Sequence, residues 1–220
     1  MRKISVKPSS SGLWRVEGLG NILRRSQELE HDSWPQAAEM RFAATQQLME
    51  AIGDEDVTLD WNDATTRSAM ELIYAAAADQ LIIGETETAT ALWEVLQSLD
   101  EEDHMNVCVL LAFCYVELED FDCWEEAMFD ISTKSPEYQL LTLWATYRQT
   151  KGVERDALRN LRTRHKAWYE EFVAKEHPID DEYLADCRSE RPSAKTEARE
   201  LWFATEALWQ RNSDFIELIR

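Results

Sequence analysis

Apolar side chains recur at three- and four-residue steps along most of the chain. Met70, Ile73, Ala77 and Leu81 form one such stripe. This spacing is typical of an amphipathic helix. The 220 residues include only six glycines and five prolines, and three of those glycines fall within the first twenty positions. So few turn-forming residues favour long helices over many short strands. The pattern therefore predicts an all-α fold.

Helix starts and stops can be read between the stripes. A capping residue followed by proline, as in Ser33-Trp34-Pro35 and Ser135-Pro136, predicts a helix start. We expect Asp60 to open a long helix and Gly84 to end it. Breaks also follow at Glu119, Gly152, His177-Pro178 and Arg191-Pro192, and the intervening stretches add up to about nine to eleven helices.

The two ends of the chain differ from its middle. Residues 1–20 contain Pro8, a serine run and Gly12 without a sustained period, so we expect a flexible basic arm there. Residues 21–220 are predicted to form a single helical domain. Within it, residues 70–170 form the core, and residues 171–220 form helices that close the stack.

A repeat is visible in the core region. The breaks at Gly84, Glu119 and Gly152 are 35 and 33 residues apart. The helix before each break carries a small residue at a corresponding position: Ala77, Ala112 and Ala145. A period near 34 with two helices in each unit is characteristic of tetratricopeptide repeats, although three amphipathic hairpins in a generic bundle could align in the same way.

The segment from Leu111 to Pro136 resembles the tetratricopeptide repeat family most closely, through Tyr115, the Glu119-Asp120-Phe121 turn and its closing proline. It departs from the family where Trp124 stands in place of the usual alanine and Glu119 in place of the usual glycine. The resemblance implies a solenoid, an α–α superhelix of antiparallel hairpins with degenerate repeats over about residues 70–170. It also implies an adaptor or chaperone-like protein that binds a partner.

If the hairpins stack as they do in that family, the first helix of each pair lines a concave face that binds the partner. The resemblance places ten residues on this face: Glu71, Tyr74, Asn106, Val109, Phe113, Glu117, Gln139, Thr142, Thr146 and Gln149.

Charge narrows the class of partner. The chain carries a net charge of −20, with +5 in residues 1–25, −23 in residues 26–150 and −2 in residues 151–220. An acidic body repels phosphate backbones, so we expect no nucleic-acid partner. It attracts a basic protein or peptide in a salt-sensitive way. The alternative is that the charge only maintains solubility.

Sequence motifs for catalysis and cofactor binding are absent. There is no phosphate-binding glycine loop, no HExxH and no GxSxG. The acidic runs at 54–56 and 100–103 lack the spacing of a calcium loop. His104 beside Glu101 and Asp103 could belong to a carboxylate–histidine site, but an exposed acidic helix start is the better interpretation. We therefore expect a non-enzyme with no cofactor and no metal.

The chain contains neither an apolar run of membrane-spanning length nor a secretory signal, and its four cysteines form no CxxC pair. We therefore expect a cytoplasmic protein with no membrane contact. Two other functions stay open. One is an enzyme or small-ligand binder with a pocket between helices, marked by convergent buried polar groups with shifted pKa values. The other is a structural subunit that forms a homodimer through an exposed apolar patch.

Overall fold

The computed structural model describes residues 4–220, and these are mainly helical, which confirms the expected helical character. They contain twelve helices and one β-hairpin, whereas the sequence predicted about nine to eleven helices and no strand. The chain divides into two compact units, Met1–Val107 (unit 1) and Cys108–Arg220 (unit 2). The sequence had predicted one helical domain over residues 21–220.

Unit 1 contains two strands and four helices: β1 (Ser5–Pro8), β2 (Trp14–Glu17), α1 (Ile22–Glu30), α2 (Trp34–Ile52), α3 (Ala64–Ile83) and α4 (Thr86–Leu99). Helix α5 (Val107–Glu117) begins on the last residue of unit 1. Unit 2 continues with α6 (Phe121–Ala127), α7 (Pro136–Thr150), α8 (Arg155–Arg164), α9 (Lys166–Phe172), α10 (Asp181–Asp186), α11 (Ala194–Arg211) and α12 (Ser213–Ile219).

The N-terminal hairpin corrects the expectation of an irregular arm. Strands β1 and β2 pair antiparallel, and Ile4 and Val16 are buried. Backbone hydrogen bonds from Trp14 N to Thr58 O (2.8 Å) and from Asp60 N to Trp14 O (2.9 Å) join the hairpin to the chain before α3. The hairpin therefore packs on the helices of unit 1. Apolar residues two apart around the Ser-Gly turn were the available sequence signal.

The start of helix α3 differs from the predicted one. Asp63, not Asp60, is its N-cap, and the Asp63 carboxylate accepts hydrogen bonds from the amide and hydroxyl of Thr66 at 2.9 and 2.8 Å. Asp60 is buried and accepts two hydrogen bonds from the Arg15 guanidinium, at 2.9 and 3.0 Å. The sequence offered two aspartates, and the tertiary ion pair decided which of them caps the helix.

Left-handed residues lie at two of the predicted breaks, Gly84 and Glu119, and at Lys151, one residue before the predicted break at Gly152. Gly84 has φ +95° and ends α3, Glu119 has φ +62° and follows α5, and Lys151 has φ +56° and ends α7. Helix α3 packs on α4, and α7 packs on α8. These two helix pairs match the predicted hairpins. Helix α6 covers only seven residues and buries none of them, so the pair that contains Trp124 is the least regular.

The core of unit 2 is aromatic. The Trp144 ring meets Trp209 and Phe215 edge-on, at centroid distances of 5.3 and 5.1 Å. Phe172 packs on Trp209 at 5.9 Å, which ties α9 to α11. Edge-to-face packing adds stability beyond the burial of apolar area.

The helix that carries Trp168 and Phe172 was predicted to continue to the His177-Pro178 break, but it ends at Phe172.

Candidate partner-binding surface

Two acidic runs that lie 44 residues apart in the sequence meet at one end of unit 1. Leu59 N donates to Leu99 O at 2.8 Å, and the Thr58 hydroxyl donates to the Glu101 carboxylate at 2.9 Å. These bonds hold the loop after α2 beside the loop after α4. We call the seven carboxylates brought together here the acidic end: Asp54, Glu55, Asp56, Asp100, Glu101, Glu102 and Asp103.

A histidine and a tryptophan lie beside the acidic end. His104 Nδ1 is 2.7 Å from Asp100 Oδ1, and its Nε2 is 3.2 Å from Glu102 Oε2. The Trp61 ring stacks on the imidazole with centroids 4.6 Å apart and planes 9° apart. The His104 carboxylate partners are therefore Asp100 and Glu102, rather than Glu101 and Asp103, the pair considered from the sequence and set aside in favour of an exposed acidic helix start. Trp61 stays half-buried and offers an apolar surface next to the carboxylates.

Besides Glu101 and Glu102, the acidic end contains two groups of carboxylates. Asp100 is buried and accepts from the His104 amide, and Asp103 accepts from the Val107 amide, so these two hold the loop before α5 in place. Asp54, Glu55 and Asp56 are exposed and make no ion pair within residues 4–220. They precede Thr58 by at most four residues, which puts them within about 20 Å of Glu101.

The acidic end does not have the geometry of a metal centre. No three histidine, cysteine, aspartate or glutamate side chains converge suitably for a metal in the part of the chain that the structure describes. Five of the seven carboxylates are exposed to water: Asp54, Glu55, Asp56, Glu101 and Glu102. Such an arrangement attracts a flexible cationic chain rather than enclosing an ion.

The ten residues assigned to the concave face lie in varied surroundings. Val109 and Phe113 on α5 and Gln139 on α7 are buried. The Phe113 ring packs edge-on against Trp209 at 5.7 Å, and the Gln139 amide donates to Thr133 O at 2.9 Å. Burial removes these three side chains from any open binding face. Side-chain spacing on a helix cannot reveal this when both faces of the helix are covered, as they are for α5.

Glu117, also assigned to the concave face, is engaged within unit 2. Its carboxylate bonds the Arg148 guanidinium and lies 3.7 Å from Arg211. Burial raises the pKa of Glu117, and the two arginines oppose that rise. The hydroxyls of Thr142 and Thr146 donate to carbonyls one turn back on α7. These three side chains therefore form contacts within unit 2 itself.

The other four residues of the predicted face also keep accessible surface, as the half-buried Glu117, Thr142 and Thr146 do: Asn106 and Gln149 are exposed, and Glu71 and Tyr74 on α3 are half-buried. Glu71, Tyr74 and Asn106 belong to unit 1, and Gln149 belongs to unit 2. Their role in binding stays a prediction.

One buried polar cluster in unit 2 contains a carboxyl group, that of Glu171, whose pKa is shifted. A shifted pKa of this kind was the expected mark of a catalytic pocket. Arg199 donates to both carboxylate oxygens of Glu171, at 2.5 and 3.0 Å, and His177 Nδ1 lies 3.0 Å from Glu171 Oε1. Burial would raise the pKa of Glu171, but the bonds from Arg199 and His177 outweigh it and lower that pKa. Because Glu171 already bonds both partners, the cluster ties α9 to α11. The other ring nitrogen of His177, Nε2, is buried and has no hydrogen-bond partner within residues 4–220.

No helix within residues 4–220 has the length and apolar character to cross a membrane. The large apolar side chains with the greatest exposure are separated along the chain: Ile82 and Ile83 at the end of α3, Phe129 after α6, and Ile179, Leu184 and Leu218.

No protein-family model, curated protein or solved structure matches this chain. Function is therefore inferred from the residues themselves.

Taken separately, each acidic run is typical of a helix cap or a solvated loop, and the sequence alone predicts no contact between the two runs. Their proximity depends on the 2.8 Å bond between Leu59 and Leu99, a contact across forty residues that no local pattern encodes. The available signal was the pair of buried residues Val57 and Leu59 next to the first run. Alternating apolar residues beside an acidic run indicate a loop that is held down rather than loose.

Proposed function

We propose that this chain is a protein-interaction module, an adaptor or chaperone-like protein, that binds a basic segment of a partner at the acidic end of unit 1. The observation that carries the proposal is the meeting of two acidic loops beside the half-buried Trp61. Carboxylates without cationic partners attract lysine and arginine. Trp61, whose ring stacks on His104 and lies 5.8 Å from the Arg67 guanidinium, is half-buried and adds apolar surface beside them.

Salt dependence follows from the spacing of these charges. Asp54 can lie as far as about 20 Å from Glu101, whereas the Debye length is about 8 Å at physiological ionic strength. At low salt the screening length is longer, and the two loops act on a ligand as one negative field. The proposed binding is therefore strong in dilute buffer and weakens steeply as salt is added.

The proposal includes a degenerate tetratricopeptide-like arrangement for the helical hairpins. Left-handed residues at Gly84, Glu119 and Lys151 are 35 and 32 residues apart, close to the period of that family. The α3–α4 and α7–α8 pairs support hairpins of the expected kind. We also propose a cytoplasmic location, which the four cysteine thiols support.

Charge reversal tests the proposed site. The double variant Glu55→Lys/Glu102→Lys should lower the affinity for a lysine–serine peptide at least tenfold in dilute buffer, as measured by fluorescence anisotropy. The matched control, Glu39→Lys/Glu87→Lys, makes the same charge change at exposed positions near the starts of α2 and α4. These positions lie about 20 Å along their helices from the acidic end, so the control should retain most of the affinity. Equal losses in both variants would refute a local site.

A further inference from the structure

Helix α6 and the turns after it form an element in which every residue from Phe121 to Asp130 is half-buried or exposed. None of the seven residues of α6 is buried. Beyond the helix, Phe129 N donates to Glu126 O at 3.1 Å and Ile131 N donates to Met128 O at 3.4 Å. The chain therefore keeps turning in the helical sense until Ile131, which is buried. The element between Phe121 and Asp130 lies on the surface of unit 2.

One side of this element combines a large aromatic ring with carboxylates. Phe129 is 88% exposed, more than any other large apolar side chain in residues 4–220. Glu125 and Glu126 precede it by one turn, and Asp122 precedes it by two, so the three carboxylates project on the same side as the ring. Asp130 follows directly. All four acidic residues are exposed. We call this group of five residues the Phe129 surface.

The charges of the Phe129 surface are not compensated. Within the described residues, Asp122, Glu125, Glu126 and Asp130 make no ion pair, whereas neighbouring Glu119 bonds the Arg148 guanidinium at 3.0 Å. Lys134 is the one basic residue in positions 120–147. The ring of Phe129 is thus surrounded by negative potential, and the fold itself makes no use of the ring for packing.

This combination restricts what can cover the ring. A second copy of the chain, docked through the same face, would oppose four carboxylates to four others, and like charges across an interface oppose association. Nucleic acid and anionic membrane surfaces are repelled for the same reason. A segment with cations on both sides of an apolar side chain satisfies both features, because its cations meet the carboxylates while its apolar group covers the ring.

We propose that the Phe129 surface is a docking site for a basic amphipathic helix of a partner protein, one that carries lysine or arginine about one turn to either side of a leucine-like side chain. This inference rests on the proposed function, since it names a second contact and the chemistry of the partner. The apolar side chain packs on Phe129, and the flanking cations pair with Glu125, Glu126 and the neighbouring aspartates.

Two helical peptides separate the apolar contact from the general charge effect. In the first, a leucine has lysines four residues before and after it; in the second, serine replaces the leucine. In dilute buffer, wild type should bind the leucine peptide about tenfold more tightly than the serine peptide. Phe129→Ser should abolish this preference, while Ile179→Ser, a change at another exposed apolar residue of unit 2 (63% exposed), should preserve it. Circular dichroism checks that each variant is folded.

The outcomes are distinct. Wild type that binds both peptides equally, with the affinity falling as salt is added, would refute the Phe129 surface and leave the proposed function standing. Wild type that binds neither peptide would overturn both proposals. A preference for leucine that survives Phe129→Ser would show that the apolar contact lies elsewhere and would also refute this inference.

Discussion

Arg41 on α2 and Asp79 on α3 form a buried, two-pronged ion pair. The Arg41 guanidinium donates to the two Asp79 oxygens at 2.6 and 2.7 Å, and both side chains are at most 5% exposed. Glu30 at the end of α1 adds a third contact at 3.2 Å. One arginine therefore connects three helices of unit 1, and it lies in an amphipathic stripe that otherwise contains alanine and leucine.

Removing one partner of this pair should destabilise the protein strongly. Asp79→Ala leaves a buried guanidinium with only the partly exposed Glu30, and breaking such a pair costs about 3 kcal/mol in the free energy of unfolding. Glu30→Gln is the control: because the Glu30 side chain is 46% exposed, its loss should cost less than about 1 kcal/mol. Urea unfolding measures both values, and equal losses would contradict a buried pair.

The cap of α3 should give a pH-dependent stability. The Thr66 hydroxyl and amide lower the pKa of Asp63 below its usual 3.8. A depressed folded-state pKa means that the contribution is complete above the unfolded-state pKa and disappears as the pH falls through the folded-state pKa. Asp63→Ala should therefore cost about 1 kcal/mol at neutral pH, and its difference from wild type should close below about pH 3.8.

Asp63→Asn is the control for this prediction, because asparagine also caps a helix but does not titrate. The difference in unfolding free energy between the Asn and Ala variants should not change with pH. A difference between wild type and the Ala variant that stayed constant down to pH 2 would show that the charge of Asp63 does not contribute.

The left-handed backbone at Glu119 predicts an ordering of two variants. Its φ of +62° is unfavourable for a residue with a β-carbon. Both Glu119→Gly and Glu119→Ala lose the ion pair with Arg148, in which the Glu119 side chain is 62% exposed. Only glycine relieves the backbone, so the glycine variant should be more stable than the alanine variant by about 1 kcal/mol. Thermal unfolding decides, and an alanine variant of equal or greater stability would contradict the assigned turn.

Some helix ends were predictable because a local interaction forms them. Ser135 caps α7 through a bond from the Tyr138 amide at 3.2 Å, and Gly84 ends α3 in the left-handed conformation. Both features follow from residue type and from neighbours within four positions. The choice of Asp63 over Asp60 was not predictable in this way, because the Arg15 partner that occupies Asp60 is 45 residues distant.

The binding surface was less predictable than the helices. The resemblance to tetratricopeptide repeats assigned Phe113 to an open face, but α5 is buried from Val107 to Cys114 and this ring lies in an aromatic core with Trp209. The acidic end forms only because two loops meet, and Phe129 is exposed because it follows a short helix that has no fully buried residue. These features depend on how elements pack, and one sequence reports packing only through its periodicity.

An NMR titration of isotope-labelled protein with a lysine–serine peptide tests the central claim most directly. In dilute buffer, the largest amide shifts should fall in residues 54–61 and 100–104, together with the indole signal of Trp61, and they should diminish when salt is added. Shifts that leave both loops unaffected, or that centre on Glu71, Tyr74 and Gln149 instead, would contradict binding at the acidic end.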